Sequence, residues 1–152
     1  MKRFLSPLQR MSEALAAAVI AMPLCVAHAA QTEADLKEAI ILSCHNEMGE
    51  FGAELVRQCI ETETAALKDV SSYPDTAEPI VSRCKRSAAG RGWAMVKVCI
   101  DQDIAAAAAL DRYPAEQAAV IEQCRTEMGQ QGPAKVQACV DQRIAAQPAP
   151  KR

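Results

Sequence analysis

The chain has 152 residues, with 17 lysines and arginines against 19 aspartates and glutamates, which gives a formal net charge of −2 at pH 7. Because there is no surplus of basic residues to neutralise phosphates, we expect no nucleic-acid partner. Aromatic residues make up 3% of the sequence, so any core must be built mostly from smaller apolar side chains.

The N-terminal segment 1–29 has the pattern of a secretory signal peptide. A basic start is followed by an apolar stretch from Ala14 to Val26 and then by Ala27-His28-Ala29, the small-x-small pattern that signal peptidase accepts. The apolar stretch is shorter than the roughly 20 residues that span a bilayer. We therefore predict cleavage after Ala29, with Ala30 as the alternative, and a mature chain that is periplasmic or secreted and has no transmembrane segment. Cleavage removes a net charge of +2 and leaves about −4.

Six of the seven cysteines recur at a constant interval and define three repeats. The first cysteines are Cys44, Cys84 and Cys124, the second are Cys59, Cys99 and Cys139, and Gly52, Gly92 and Gly132 lie between them. Tyr-Pro pairs at 73–74 and 113–114 separate the repeats. A period of about 40 residues is typical of stacked supersecondary units. We predict three units at about residues 32–72, 75–112 and 115–147, followed by a frayed tail at 148–152.

Each unit is predicted to form two helices joined by a tight glycine turn. Apolar residues recur at helical spacing on both sides of the turn, as in unit one at Leu36, Ile40, Cys44, Val56, Cys59 and Ile60. Gly49 and Gly129 are predicted to end the first helices in the left-handed conformation. Pro133 fits the first position of a helix, and Pro74 and Pro114 are predicted to stop the second helices.

Both cysteines of a unit lie on apolar stripes that the hairpin turns toward each other. In unit one, Cys44 lies about 7 Å before the turn and Cys59 about 10 Å after it, at a helical rise of about 1.5 Å per residue. Cysteines at similar heights on facing helices can be bridged, and six cysteines in an oxidising compartment form a disulfide framework. The predicted bonds are Cys44–Cys59, Cys84–Cys99 and Cys124–Cys139.

The predicted fold is all-α, with three tandem disulfide-stapled αα-hairpins in a single domain over residues 30–147. The hairpins are expected to form either a short helical solenoid or a compact six-helix bundle. The pattern resembles helical repeat arrays such as the Sel1-like and tetratricopeptide families, and some Sel1-like proteins also join each helix pair by a disulfide. The signature glycine and alanine positions of those families are not met here, and the step between the paired cysteines differs. The resemblance therefore implies an architecture and carries over no functional residue.

The sequence predicts no catalytic residue, no metal site and no cofactor, because it contains none of the motifs that carry such chemistry. His45 is the one histidine after Ala29, and basic residues Lys85 and Arg125 occupy its register in the other units. Neighbouring helix positions point in directions about 100° apart. We therefore expect His45 to be a polar helix residue that faces the solvent.

Acidic residues recur just after the second cysteine of each unit, at Glu61, Asp101 and Asp141, and Asp103 adds a fourth. Paired carboxylates can act as general acid and base. Because these acids occur as copies rather than as one unique set, we expect a solvated face with ion pairs to nearby basic residues such as Arg57 and Lys97.

Phe51 and Trp93 flank the glycine turns of the first two units. Each can pack over the end of its hairpin, or the two can anchor a binding surface, since exposed aromatic residues concentrate interface energy. Tyr73 and Tyr113 are expected to cover the junctions between units.

These features predict a small exported protein that acts as a structural or protein-interaction module, because repeat arrays build extended surfaces. The expected partner is another protein or a component of the cell envelope, and no enzymatic activity is expected. One alternative is a periplasmic metal- or thiol-handling protein that uses the paired cysteines in their reduced form. Another is an envelope enzyme or enzyme inhibitor.

Overall fold

The computed structural model describes residues 32–88 and 90–147, which form six α-helices and contain no β-strand. The helices are α1 (Glu33–Met48), α2 (Ala53–Ser71), α3 (Glu78–Ser87), α4 (Trp93–Leu110), α5 (Ala118–Met128) and α6 (Pro133–Ala145). They pair as hairpin 1 (α1 and α2), hairpin 2 (α3 and α4) and hairpin 3 (α5 and α6). The prediction of an all-α fold with three tandem hairpins is confirmed. The predicted signal peptide at 1–29 and the predicted tail at 148–152 lie outside the described residues.

The helix ends follow from local sequence chemistry. Thr32 and Asp35 form a capping box at the start of α1, because the Asp35 amide donates to Thr32 Oγ1 at 3.2 Å and the Thr32 amide donates to Asp35 Oδ2 at 3.0 Å. Pro133 is the first residue of α6, where its missing N–H leaves no bond unmade. Both α2 and α4 end shortly before a Tyr-Pro pair, which a helix cannot cross without strain.

The turns inside hairpins 1 and 3 differ from the prediction in one respect. Gly49 and Gly129 are right-handed, with φ of −58° and −55°, because each begins a short 3₁₀ turn that continues the preceding helix. The chain reverses at the end of that turn, at Gly52 and Gly132, where φ is 102° and 103°. The prediction that Gly49 and Gly129 are left-handed was therefore wrong, and the backbone conformation that favours glycine lies at the repeated glycine just before the second helix.

One disulfide joins the two helices of each hairpin. The bonds are Cys44–Cys59, Cys84–Cys99 and Cys124–Cys139, with Cα–Cα distances of 5.7, 5.7 and 5.8 Å. These distances lie in the range that a disulfide bridges without moving the backbone. The predicted disulfide-stapled hairpins are therefore present in all three units.

The second helices form a continuous layer. Helix α4 packs against α2 on one side and α6 on the other, and each of α1, α3 and α5 packs mainly against the second helix of its own hairpin. Helices α2 and α6 do not pack against each other to a comparable extent, and neither do the first helices of the different hairpins. The described residues therefore form an open stack of hairpins, which is the solenoid rather than the closed bundle.

Each hairpin has its own small core, and the cores are linked by the ends of the second helices. The first core contains Ile40, Cys44 and Leu67. The second and third cores surround Cys84 with Ile100 and Cys124 with Val140. Val70, at the end of α2, belongs to the second core, and Leu110, at the end of α4, belongs to the third. Each of these two cores is therefore completed by an apolar residue of the preceding unit.

Candidate functional site

The cysteines are structural parts of the cores. Cys44, Cys84 and Cys124 are at most 1% exposed, and together with Ile100 and Val140 they are the largest fully buried side chains in the described residues. Their partners in the second helices are half-buried. A sulfur atom bonded in a disulfide is not a thiolate, which is the form that binds metals and attacks electrophiles. In the oxidised protein the cysteines therefore hold the hairpins together.

A carboxylate from one hairpin caps a helix of the next hairpin at the first junction. Glu63 lies in α2 and accepts hydrogen bonds from the backbone amides of Trp93 and Ala94, the latter at 3.3 Å. These amides are among the first in α4, which have no partner inside their own helix. A negative charge at a helix N-terminus also interacts favourably with the helix dipole. Glu63 therefore fixes the start of α4 to hairpin 1.

Asp103 makes the equivalent contact at the second junction. It occupies the register of Glu63 in the next repeat and accepts a hydrogen bond from the Ala134 amide of α6 at 3.1 Å. Its other carboxylate oxygen forms an ion pair with Arg83 of its own hairpin. Asp103 is 2% exposed, so the expectation that it belongs to a solvated face was wrong. It is buried because the next hairpin packs over it, and the ion pair and the cap together satisfy its charge.

Hairpin 3 replaces this acid by Arg143, which lies in the register of Glu63 and Asp103. Arg143 Nη2 is 2.9 and 2.7 Å from the two carboxylate oxygens of Glu127, within the same hairpin. At this repeat position, the side chains of the first two units cap a helix of the next hairpin, whereas the side chain of the third unit forms an ion pair within its own hairpin.

Tyrosines and acids form a second set of contacts between hairpins. The Tyr73 hydroxyl, after α2, donates to Asp101 in α4, and the Tyr113 hydroxyl, after α4, donates to Asp141 in α6. Lys97 Nζ also binds Asp101, at 2.6 Å. Two of the three repeated acids thus serve as acceptors for the tyrosine of the preceding junction, and the expected ion pair of Lys97 is present beside one of them.

The environment of these groups shifts their pKa values in opposite directions. Burial raises the pKa of Tyr73 to about 12, and the hydrogen bond to Asp101 adds to the effect. Burial alone would raise the pKa of Asp101, but the hydrogen bonds from Lys97 and Tyr73 outweigh it and lower this pKa. The hydrogen bond to Asp141, followed by burial, raises the pKa of Tyr113. The protonated tyrosine and the ionised aspartate therefore stabilise each other.

The two aromatic residues considered for a binding surface lie in different environments. Trp93 is half-buried and packs against both the first and the second core. It also lines a cavity of about 310 Å³ between hairpins 1 and 2, together with Glu63 and the disulfide of hairpin 1. Phe51 is 60% exposed at the turn of hairpin 1. A binding role for Phe51 and Trp93 stays a prediction.

The remaining candidates for metal chemistry are His45 and the acidic side chains. His45 is exposed in the last turn of α1. Across residues 32–88 and 90–147, no group of three or more histidine, cysteine or acidic side chains is arranged to hold a metal ion. Within the same ranges, every helix is too short or too polar to cross a membrane. The polar contacts between hairpins are those of the junctions.

Comparison of the chain with protein-family models, with curated proteins and with solved structures found no match. Its chemistry is therefore inferred from its own residues.

The predicted position of Tyr73 and Tyr113 at the junctions is confirmed, because they pack against the second and third cores. Their hydrogen bonds to Asp101 and Asp141 and the helix caps of Glu63 and Asp103 were not predicted, although the repeat register contains a signal for them. Glu63 and Asp103 occupy the same position in successive repeats, as do Tyr73 and Tyr113. Acids and tyrosines that recur with the period of the repeat are suited to contacts between successive units.

Gly132→Ala is expected to destabilise the protein more than Gly52→Ala. Both glycines have a conformation that is almost confined to glycine, so each substitution costs about 1–3 kcal/mol in backbone strain. A Cβ atom at residue 132 would also lie 2.6 Å from Asp103 Oδ2 and from Arg83 Cζ, whereas a Cβ at residue 52 meets nothing within 4 Å. Urea unfolding of the oxidised proteins should show an extra loss of about 1–3 kcal/mol for Gly132→Ala. Equal losses would contradict the close junction.

Tyr73 is expected to ionise near pH 12 in the native protein. The chain has two tyrosines, so the Tyr113→Phe variant reports on Tyr73 alone through tyrosinate absorbance after rapid pH jumps. The native pKa of about 12 lies above the ordinary value of 10.0. The contribution of the Tyr73 contact to stability is therefore fully present below about pH 10 and is lost as pH rises toward 12. Adding Asp101→Asn should move the midpoint part of the way back to 10, and a native midpoint near 10 without that change would contradict the contact.

Proposed function

We propose that the mature chain is an exported, disulfide-stapled helical-repeat module that binds a protein or another component of the cell envelope and has no catalytic activity. The three disulfides, one per hairpin, are the observation that carries the proposal. Disulfides persist in oxidising compartments such as the periplasm and the extracellular space. The basic and apolar pattern of residues 1–29, with its predicted cleavage after Ala29, supports export by the secretory route.

The distribution of exposed apolar side chains supports a binding role. Seven large apolar residues are exposed in the described part of the chain, and four of them lie in hairpin 1: Ile41, Leu42, Phe51 and Leu55. A concentration of exposed apolar side chains in one unit favours an interaction surface on that unit. A stack of hairpins also presents an extended surface on which a partner can bind. Hairpin 1 is therefore the proposed centre of the interaction.

The use of the charged residues supports a role without catalysis. Glu63, Asp101, Asp103 and Asp141 all bind groups of a neighbouring hairpin. Each of these acids thus has a partner in the stack, which favours a structural role over acid–base chemistry. The bonded cysteines likewise favour a structural role over thiol or metal handling.

Export is tested by expressing the whole chain in a Gram-negative host and measuring the intact mass of the periplasmic protein with thiol alkylation before and after reduction. We expect a chain that begins at residue 30, takes up no alkylating agent until it is reduced, and then takes up six. A chain without residues 2–29 is the control and should remain in the cytoplasm. Retention of the whole chain in the cytoplasm, or rapid alkylation without reduction, would contradict the proposal.

Binding is tested in the same cells with a photo-crosslinking amino acid at residue 42 or at residue 122. Leu42 is 62% exposed in hairpin 1, and Glu122 is an exposed residue at the same repeat position in hairpin 3. Residue 42 should give a crosslinked product of discrete mass and residue 122 should not. Identical patterns at the two positions would contradict a binding surface on hairpin 1.

A further inference from the structure

Hairpin 1 lacks a contact that hairpins 2 and 3 receive from the unit before them. Val70 of α2 completes the second core and Leu110 of α4 completes the third, but the first core receives no such residue from the part of the chain that is described. The missing contact changes the exposure of the side chain at one position of the repeat. Ile41 is 45% exposed, whereas its equivalents Val81 and Ile121 are 4% and 8% exposed. Within residues 32–88 and 90–147, no other unit therefore covers the face of hairpin 1 that points away from hairpin 2.

The acid that receives a junction tyrosine in hairpins 2 and 3 is also present in hairpin 1. Glu61 has the register of Asp101, and its Oε1 atom is 2.7 Å from Arg57 Nη1. In hairpin 2 the equivalent pair is Lys97 and Asp101, at 2.6 Å, and Asp101 additionally accepts the Tyr73 hydroxyl. Hairpin 1 thus repeats the acid and its cation, but no tyrosine hydroxyl among the described residues bonds to Glu61.

A cavity of about 580 Å³ lies at this acid, between the start of α1 and the outer side of α2. Ile60 and Leu67 contribute apolar surface to it, and Lys37 and Glu61 are among its charged residues. Ile60 is half-buried, whereas the residues at its position in the other hairpins, Ile100 and Val140, are 0% exposed. We call this cavity the α1–α2 groove. Its residues Ile60 and Glu61 are equivalent to the residues with which hairpins 2 and 3 contact the unit that precedes them.

The two internal junctions show which chain segment binds to the equivalent surface of hairpins 2 and 3. In both, a helix ends, an apolar residue enters the core, and a Tyr-Pro pair follows: Val70 with Tyr73-Pro74, and Leu110 with Tyr113-Pro114. The sequence contains two tyrosines, and both are used in these junctions. A tyrosine for the α1–α2 groove therefore has to come from outside this sequence.

We propose that the α1–α2 groove binds the C-terminal end of a helix of a partner protein, in which an apolar residue precedes a Tyr-Pro pair by three positions. The proposal rests on the function as an interaction module and names the chemistry of the partner. The apolar residue would pack on Ile60 and Ile41, and the tyrosine hydroxyl would donate to Glu61. The partner helix would extend the layer of second helices by one member.

A synthetic peptide of residues 100–117 of this chain, which ends α4 and includes Leu110 and Tyr113-Pro114, is the probe. Fluorescence anisotropy of the labelled peptide with the oxidised mature chain should give saturable one-to-one binding. A peptide with Tyr113→Phe should bind about 10–100-fold more weakly, the effect of one lost hydrogen bond to a charged acceptor. A peptide with Leu110→Ala should bind more weakly as well, because less apolar surface is buried.

Matched variants of the mature chain assign the binding to the groove. Glu61→Gln should weaken binding of the tyrosine peptide and reduce the difference between the tyrosine and phenylalanine peptides. Glu54→Gln is the control, because Glu54 is the other acid that binds Arg57 and does not line the groove. Ile41→Arg, at the exposed residue whose equivalents Val81 and Ile121 are buried in the internal junctions, should reduce binding at least tenfold. The melting temperature of each variant verifies that it is folded.

Several results would overturn the proposal. These are absence of binding at about 1 mM peptide, equal binding of the tyrosine and phenylalanine peptides, or binding that Ile41→Arg leaves unchanged. Self-association of the mature chain that Ile41→Arg abolishes would assign the groove to a second copy. Tighter binding of a peptide of residues 14–30 would assign it to the N-terminal segment of the chain. An exported, crosslinked protein that binds no Tyr-Pro peptide would overturn this inference alone, whereas peptide binding by a chain that is never exported would overturn only the proposed function.

Discussion

The buried disulfide at the centre of each hairpin is the constraint on which the rest of the structure depends. A chain with so few aromatic residues gives each hairpin a core of only a few apolar side chains, and Cys44, Cys84 and Cys124 are among the most deeply buried of them. Closing a loop of about 15 residues stabilises a fold by about 3 kcal/mol in the chain-entropy description. The bonds therefore act twice, as covalent links and as apolar filling, and they set each helix pair at the spacing that the next pair needs for packing.

The junctions turn three hairpins into one stack. At each junction an acid of the preceding hairpin caps the next second helix, a tyrosine binds the repeated acid, and an apolar residue enters the next core. Arg143 replaces the capping acid in hairpin 3, and it turns to Glu127 in its own hairpin. Hairpin 1 retains the receiving groups, Glu61 and Ile60, in an open groove. The two ends of the stack are therefore chemically different. A partner that resembles a preceding unit would fit the end formed by hairpin 1 and not the end formed by hairpin 3.

The repeat predicted the helices and their cysteine pairs because that information is local: a constant step between two cysteines, an apolar stripe and a glycine between them. The contacts between hairpins, in contrast, join residues that are far apart in the sequence. In the sequence, Asp103 cannot be distinguished from a surface acid. Its burial and its hydrogen bond from the Ala134 amide arise from the packing of hairpin 3 against hairpin 2. Gly49 was assigned the wrong conformation for a related reason, because a helix that ends at glycine and one that continues into a 3₁₀ turn have similar sequences. The repeated pairs Glu63 with Asp103 and Tyr73 with Tyr113 were visible, but their partners depend on how the hairpins stack.

The most direct test of the central role of the disulfides is a comparison of thermal unfolding, followed by far-UV circular dichroism, between the oxidised mature chain and the same chain after full reduction. Mass spectrometry would verify that six thiols are free in the reduced sample. Three bridges of about 3 kcal/mol each are comparable to the whole stability of a small domain, about 5–15 kcal/mol. We therefore expect a cooperative transition for the oxidised chain and loss of that transition, or a large fall in its midpoint, after reduction. An unchanged midpoint and cooperativity in the fully reduced chain would contradict the account.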